Sequence, residues 1–160
     1  MASSKGEQTI RRLYDALDRH DGEAMASCYS PDAHFNDPVF NDLTGDEAGD
    51  MWRMLTSRSE DLAVELADCR ADEERGVARW MASYTFTQTG REVVNDVKAS
   101  FRFSDGLIIE HIDRFDLWKW TRQALGPAGI LLGWSPPVQS KVRNQAAESL
   151  REFRAGRTGS

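Results

Sequence analysis

From residue 62 to residue 118 the chain adopts a hydrophobic period of two and keeps it through four successive runs. LAVELADCR, GVARWMASYTFTQ, REVVNDVKASFRFS and LIIEHIDRFDLW each alternate side chains as a pleated strand does. They are joined through turns containing Gly76, Thr89-Gly90 and Asp105-Gly106, residue types that tight turns favour. Strands linked this closely pair antiparallel, so the second half of the chain is read as a meander. Ahead of it, Ile10, Leu13, Tyr14 and Leu17 recur at helical spacing, and Met25, Cys28 and Tyr29 repeat the pattern after Asp21-Gly22. Ser30-Pro31 stops this second helix, DAHFNDPVF at 32–40 reads as a strand, and Thr44 to Glu47 reads as a capping box. That box starts a third helix with Ala48, Met51, Trp52 and Leu55 inward. Helices followed by an antiparallel sheet make an α+β fold. With 160 residues and 40% hydrophobic content, one domain is expected over 1–160.

The alternation also assigns faces. Trp80, Ala82, Tyr84 and Phe86 share the apolar side of one run, and Val97, Ala99, Phe101 and Phe103 that of the next. The last run is different. Its two sets are Ile109, His111, Asp113 and Phe115 against Ile108, Glu110, Ile112 and Arg114, and both are mixed. His111 and Asp113 stand at i and i+2, so they project to one side together. Asp37 has a similar character, since it shares strand parity with Ala33, Phe35 and Val39. Apolar surroundings disfavour a charged carboxylate and raise its pKa toward neutrality, where it can take or deliver a proton. Two plainer readings compete: Asp37 before Pro38 accepting hydrogen bonds in a turn, and His111 with Asp113 as paired groups at a subunit interface.

Charge and motifs narrow the classes. Twenty basic against 26 acidic residues give a net charge of −6, without a basic stretch that would follow a phosphate backbone, so nucleic acid is not an expected partner. No apolar run approaches the roughly 18 residues of a membrane span, and MASSKGEQTIRRL lacks a signal-type apolar core. A cytoplasmic location and no membrane partner are therefore expected. Cys28 and Cys69 read as reduced, packed thiols. There is no Gly-rich phosphate loop and no Cys/His cluster at zinc spacing, so no cofactor and no metal are expected. His20 and His34 are assigned no role.

The order helix, helix, strand, helix, then a long meander resembles the nuclear transport factor 2-like cone fold, which includes ketosteroid isomerase, scytalone dehydratase, limonene epoxide hydrolase and SnoaL-like polyketide cyclases. The resemblance spans about 8–118, and its most specific piece is LYDALDRHDGEAMASCYSPDAHFNDPVF. It implies a cone-shaped barrel of curved, mostly antiparallel sheet around a hydrophobic pocket. It also implies that Asp37 is the general base, that Tyr14 donates to an enolate oxygen, and that His111 and Asp113 occupy acid and histidine positions of the cyclases and dehydratases. Counted from Thr89-Gly90, Ala99 stands where the isomerase carries a second oxyanion donor, which argues against steroid isomerisation. Trp52, Trp80, Tyr84, Phe35, Ala99 and Phe115 are the expected pocket lining. The function so implied is a cofactor-independent isomerase, cyclase or dehydratase acting on a small hydrophobic oxygenated molecule. An epoxide hydrolase, a non-catalytic binder of a lipophilic ligand, and a protein-interaction module are the alternatives.

After Asp116 the chain predicts a helix near 117–125, a Gly/Pro-rich apolar link, and a second helix striped by Val138, Val142, Ala146, Leu150 and Phe153. This helical extension covers about 117–154. The stripe needs a surface, either the chain's own core or a second subunit, and GILLGW at 129–134 could cap the open end of the cone. Relatives of this fold pair through their convex sheet faces, so the resemblance implies a homodimer.

Overall fold

The computed structural model describes residues 3–158. Helix α1 (Lys5–Asp18) begins at Ser4, whose side chain accepts from the Glu7 N–H, and it buries Ile10, Leu13, Tyr14 and Leu17. Helix α2 (Gly22–Ala26) is capped by Asp21. It is shorter than the periodicity predicts. Tyr29, expected on its apolar face, opens strand β1 (Tyr29–Asn36), and Ser30 and Pro31 lie within that strand. The physical reason is Pro31, which pushes the residue before it away from helical backbone angles and donates no N–H. Strand β2 (Leu43–Thr44) leads into α3 (Gly45–Arg58), and the capping box between Thr44 and Glu47 is present with both of its bonds.

The meander consists of β3 (Ala63–Ala71), β4 (Arg75–Phe86), β5 (Arg91–Ser104) and β6 (Leu107–Arg114). All six strands form one sheet in the order β2-β1-β6-β5-β4-β3, antiparallel except where β1 lies parallel to β6. Asp105 and Gly106 both take positive φ, as the tight β5–β6 turn requires. Gly76 serves a different purpose from the turn expected of it. It lies inside β4, paired with Ala71, where a Cβ would meet the Ala71 methyl and Ile10 at under 3 Å. Its missing side chain lets α1 approach the sheet.

The mixed pattern of β6 has a structural cause. The β5–β6 register runs Phe103 with Ile108, then Arg102 with Glu110, so Ile109 has no partner and forms a bulge. Ile108, His111 and Asp113 all point inward as a result, with exposures of 0%, 0% and 3%. Beyond Lys98, toward its N-terminal end, β5 outruns β6. There Gln123 of α4 (Leu117–Leu125) substitutes for a strand, its side chain accepting from the Val94 N–H and donating to the Val94 carbonyl.

The predicted apolar link is helical in part, as α5 (Pro127–Leu132), and α6 (Pro136–Thr158) follows. Helix α6 packs on its own chain, against α3. Leu150 is buried, and Ala146 and Phe153 pack against the core. Polar clamps hold it: Asp50 of α3 accepts from Arg53, Arg154 and Arg157, and Arg143 donates to the Pro38 carbonyl. The GILLGW segment does not close over the core. Ile130, Leu131, Leu132 and Trp134 are all exposed.

Candidate functional site

The inner face of the sheet, together with α1 and α3, gathers most of the polar candidates at one place. His111 sits where β6 faces Phe101 of β5 and Phe35 of β1, and both rings lie against its imidazole, with centroids 4.3 and 4.9 Å away. Its Nδ1 is 2.8 Å from the Tyr29 hydroxyl and its Nε2 is 2.8 Å from Asp113 Oδ1. Trp52 of α3 donates to the same Tyr29 oxygen at 2.9 Å, and Trp80 of β4 donates to Asp113 Oδ1 at 3.5 Å. Because an indole can only donate, the Tyr29 oxygen is an acceptor on that side. The contacts form one continuous network from Trp52 through Tyr29 and His111 to Asp113.

Tyr14 reaches this chain of bonds from α1. Its ring lies 5.1 Å from that of Trp80, and its buried hydroxyl makes no hydrogen bond among the described residues. Burial, then the nearby charge of Asp113, holds the phenol well above its ordinary pKa, so it remains a proton donor across the physiological range. Tyr29 is raised in the same direction, chiefly by burial.

Asp37 lies one residue past β1, so the strand expected over 32–40 ends at Asn36. Its Oδ1 accepts from the backbone N–H groups of Val39 and Phe40 at 2.7 and 2.6 Å, while its own N–H donates to the Phe40 carbonyl. The turn reading is met, and a carboxyl that serves a turn can still titrate. Burial pushes the carboxyl from 3.8 up to about 7, the Phe40 and Val39 N–H groups pull the other way, and the charge of Asp113 adds to the rise. Asp37 is half-buried with Pro38 and Val39, whereas Tyr14, His111 and Asp113 are sealed.

The expected lining is denser than an open pocket. Phe35, Trp52, Trp80 and Ala99 are buried parts of the packed core, and Tyr84 and Phe115 are half-buried beside it. Tyr84 accepts a hydrogen bond from Trp120 of α4 at 2.7 Å. Two surface grooves, one between Gln88 and α6 and one around Arg75 and Arg102, include none of the candidate residues. Ala99 pairs directly with Asp113, so a carboxylate stands one strand away from the position where Ala99 lacks one.

Tyr29 escapes the sequence reading because the helical pattern absorbs it. The usable signal is parity: residues 29, 33 and 35 fall on one strand face once the helix ends before Ser30-Pro31. Among the described residues no cluster of three metal-binding side chains occurs, and Cys28 and Cys69 are free thiols.

With this geometry in hand, comparisons place the chain. The SnoaL-like domain matches residues 10–111, well over half of it. A comparison with curated proteins finds no match. Among solved structures, an NTF2-like protein of unknown function from Burkholderia pseudomallei is similar with a TM-score of 0.67 at 21% identity, covering 76% of this chain and 98% of its own. A limonene-epoxide-hydrolase-like enzyme from M. tuberculosis gives 0.64 at 17% identity, covering 79% and 92%. The putative polyketide cyclase IdmH from Streptomyces antibioticus gives 0.62 at 21% identity, covering 72% and 95%. At these identities the likeness is one of fold. On the strength of the domain match, the chain belongs to the SnoaL-like family, with the NTF2-like fold that family shares.

Proposed function

We propose that the protein is a cofactor-independent acid–base enzyme that moves a proton at a carbon next to an oxygen function of a small hydrophobic molecule. The observation that carries this reading is Asp37, a carboxyl held at about 7 by burial and by the charge of Asp113. Near neutral pH such a group is present in both forms, which suits a base that must also return its proton. It is the member of the set with an outlet to solvent, so substrate meets it first. The Tyr14 hydroxyl, buried and unspent on protein partners, donates to oxyanion charge as it develops.

In this reading His111 does not itself exchange the proton. Both of its ring nitrogens are bonded internally and it is fully buried, so it acts as a positioning residue. It anchors Asp113, whose charge in turn helps keep Asp37 protonated. The second reading is a non-catalytic binder of a lipophilic ligand, which the apolar and aromatic side chains of the inner face, among them Phe35, Trp52 and Trp80, would serve equally well.

Turnover of a β,γ-unsaturated ketone, a β-diketone and an epoxide separates these readings. For the enzyme, kcat/KM on one of them shows an inflection near pH 7. Asp37→Asn abolishes turnover, and Asp113→Asn moves the inflection downward. Ligand binding by a folded protein without turnover on any compound would replace the enzyme with the binder. An inflection unmoved in Asp113→Asn would remove Asp113 from the mechanism.

A further inference from the structure

Helix α5 has its amphipathic pattern inverted. Its two glycines, Gly129 and the following Gly133, lie against Thr121 of α4 so closely that a Cβ at either would collide with that residue. With the small residues inward, the large ones are turned out. Ile130, Leu131 and Leu132 are 56%, 70% and 54% exposed, and Trp134 is 61% exposed. Three consecutive helical residues span about 200° of arc. They therefore form a convex knob, not a flat patch, and Trp118 adds a fifth exposed large side chain on the neighbouring helix.

Along the sequence, the segment that carries the knob differs in charge from the rest of the chain. Residues 117–147 contain Lys119, Arg122, Lys141 and Arg143 and no Asp or Glu, whereas the remaining residues hold 16 basic and 26 acidic side chains. Arg122 lies over the Trp118 ring at 4.5 Å, and the Arg91 guanidinium lies against Gly126 where α4 turns into α5.

We propose that this knob docks on an anionic lipid surface, with Ile130, Leu131, Leu132 and Trp134 entering the headgroup region and the surrounding cations pairing with lipid phosphates. A convex aliphatic tip with a tryptophan and flanking Lys and Arg suits a deformable bilayer interface. A symmetric pair of knobs would instead bring two acid-free, positively charged segments together. No described helix is long and apolar enough to cross a membrane, so the attachment is peripheral. The expectation of no membrane partner rests on the lack of a spanning run, which such docking does not need. The proposal stands whether or not the inner site is catalytic.

Co-sedimentation with vesicles tests it. One set is phosphatidylcholine alone, and the other contains phosphatidylglycerol as roughly one lipid in three, at low and high salt. The full chain should partition into the anionic vesicles roughly tenfold or more over the neutral ones, with loss at high salt. Leu131→Ser with Leu132→Ser, both at exposed positions, should abolish binding with unchanged circular dichroism. Lys119→Glu with Lys141→Glu should remove the preference for anionic lipid. Absence of sedimentation with either vesicle, or binding unchanged by the serine pair, overturns the proposal. So does a concentration-dependent mass in light scattering that the serine pair abolishes while no vesicle binding is seen, which would assign the knob to a second copy.

Discussion

Asp37 ties two functions to one carboxyl: Oδ1 organises the turn after β1, and burial raises the pKa of the whole group to about 7. The sign of the resulting pH dependence follows from linkage. The native state keeps a proton that the unfolded chain releases, so the stabilisation is fully present below about pH 4. It falls as pH rises toward 7 and changes little above that. The loss across the window is about 4 kcal/mol from this group. Asparagine retains the acceptor that the turn needs but does not titrate. Asp37→Asn should therefore match the wild type near pH 4 and exceed it at pH 8 by about 1 kcal/mol or more in urea melts. Asp37→Ala, which loses the acceptor, should cost about 1 to 3 kcal/mol at pH 4. A difference between Asn and wild type that stays constant from pH 4 to pH 8 would return Asp37 to a purely structural role. At this scale the sequence was readable where parity was regular. Asp37, His111 and Asp113 are all picked out by polar character in apolar rows, but Tyr29 is hidden by a helical repeat that Pro31 cuts short.

At the scale of elements, the long runs were legible because period two extends over eight or more residues in each, and the capping box at Thr44 announces α3. The β6 bulge was not, since an unpaired residue leaves no trace in composition. It appears only as a strand in which neither face is clean. Its mechanical effect is a change of phase at Ile109. Deleting Ile109 should let Arg102 and Phe103 pair in an unbroken ladder while Ile108 and His111 both stay inward, so the variant should fold and keep the Tyr29–His111 bond. Deleting Ile112 should turn either His111 or Asp113 outward, leaving a buried polar partner unmatched. Thermal melts of the two deletions should differ by several degrees in favour of the first. Equal destabilisation would mean that the bulge is itself required. The α5 helix was likewise missed, because its glycines and proline read as a link and only the packing of Gly129 and Gly133 on Thr121 gives it a surface.

For the whole molecule, the order of helices and meander in the sequence was enough for the α+β cone, but the course of the C-terminal third was left between the chain's own core and a second subunit. The deciding contacts are long-range and ionic. Asp50, buried in α3, holds Arg154 and Arg157 of α6, and such pairings between residues a hundred positions apart carry no local sequence signature. The extension also has a duty that does not depend on chemistry. Gln123 satisfies the stretch of β5 that β6 leaves bare, so the sheet is finished there by a side chain. A chain truncated after Asp116 would retain every strand yet present an unpaired β5 edge around Val94, itself half exposed. Such an edge is a template for further strands. Truncation should therefore yield thioflavin-positive aggregates under conditions where the full chain stays clear, and Gln123→Ala should move partway toward that behaviour. The Gln123 amide is thus one of the guards between a discrete protein and a seed of fibrils.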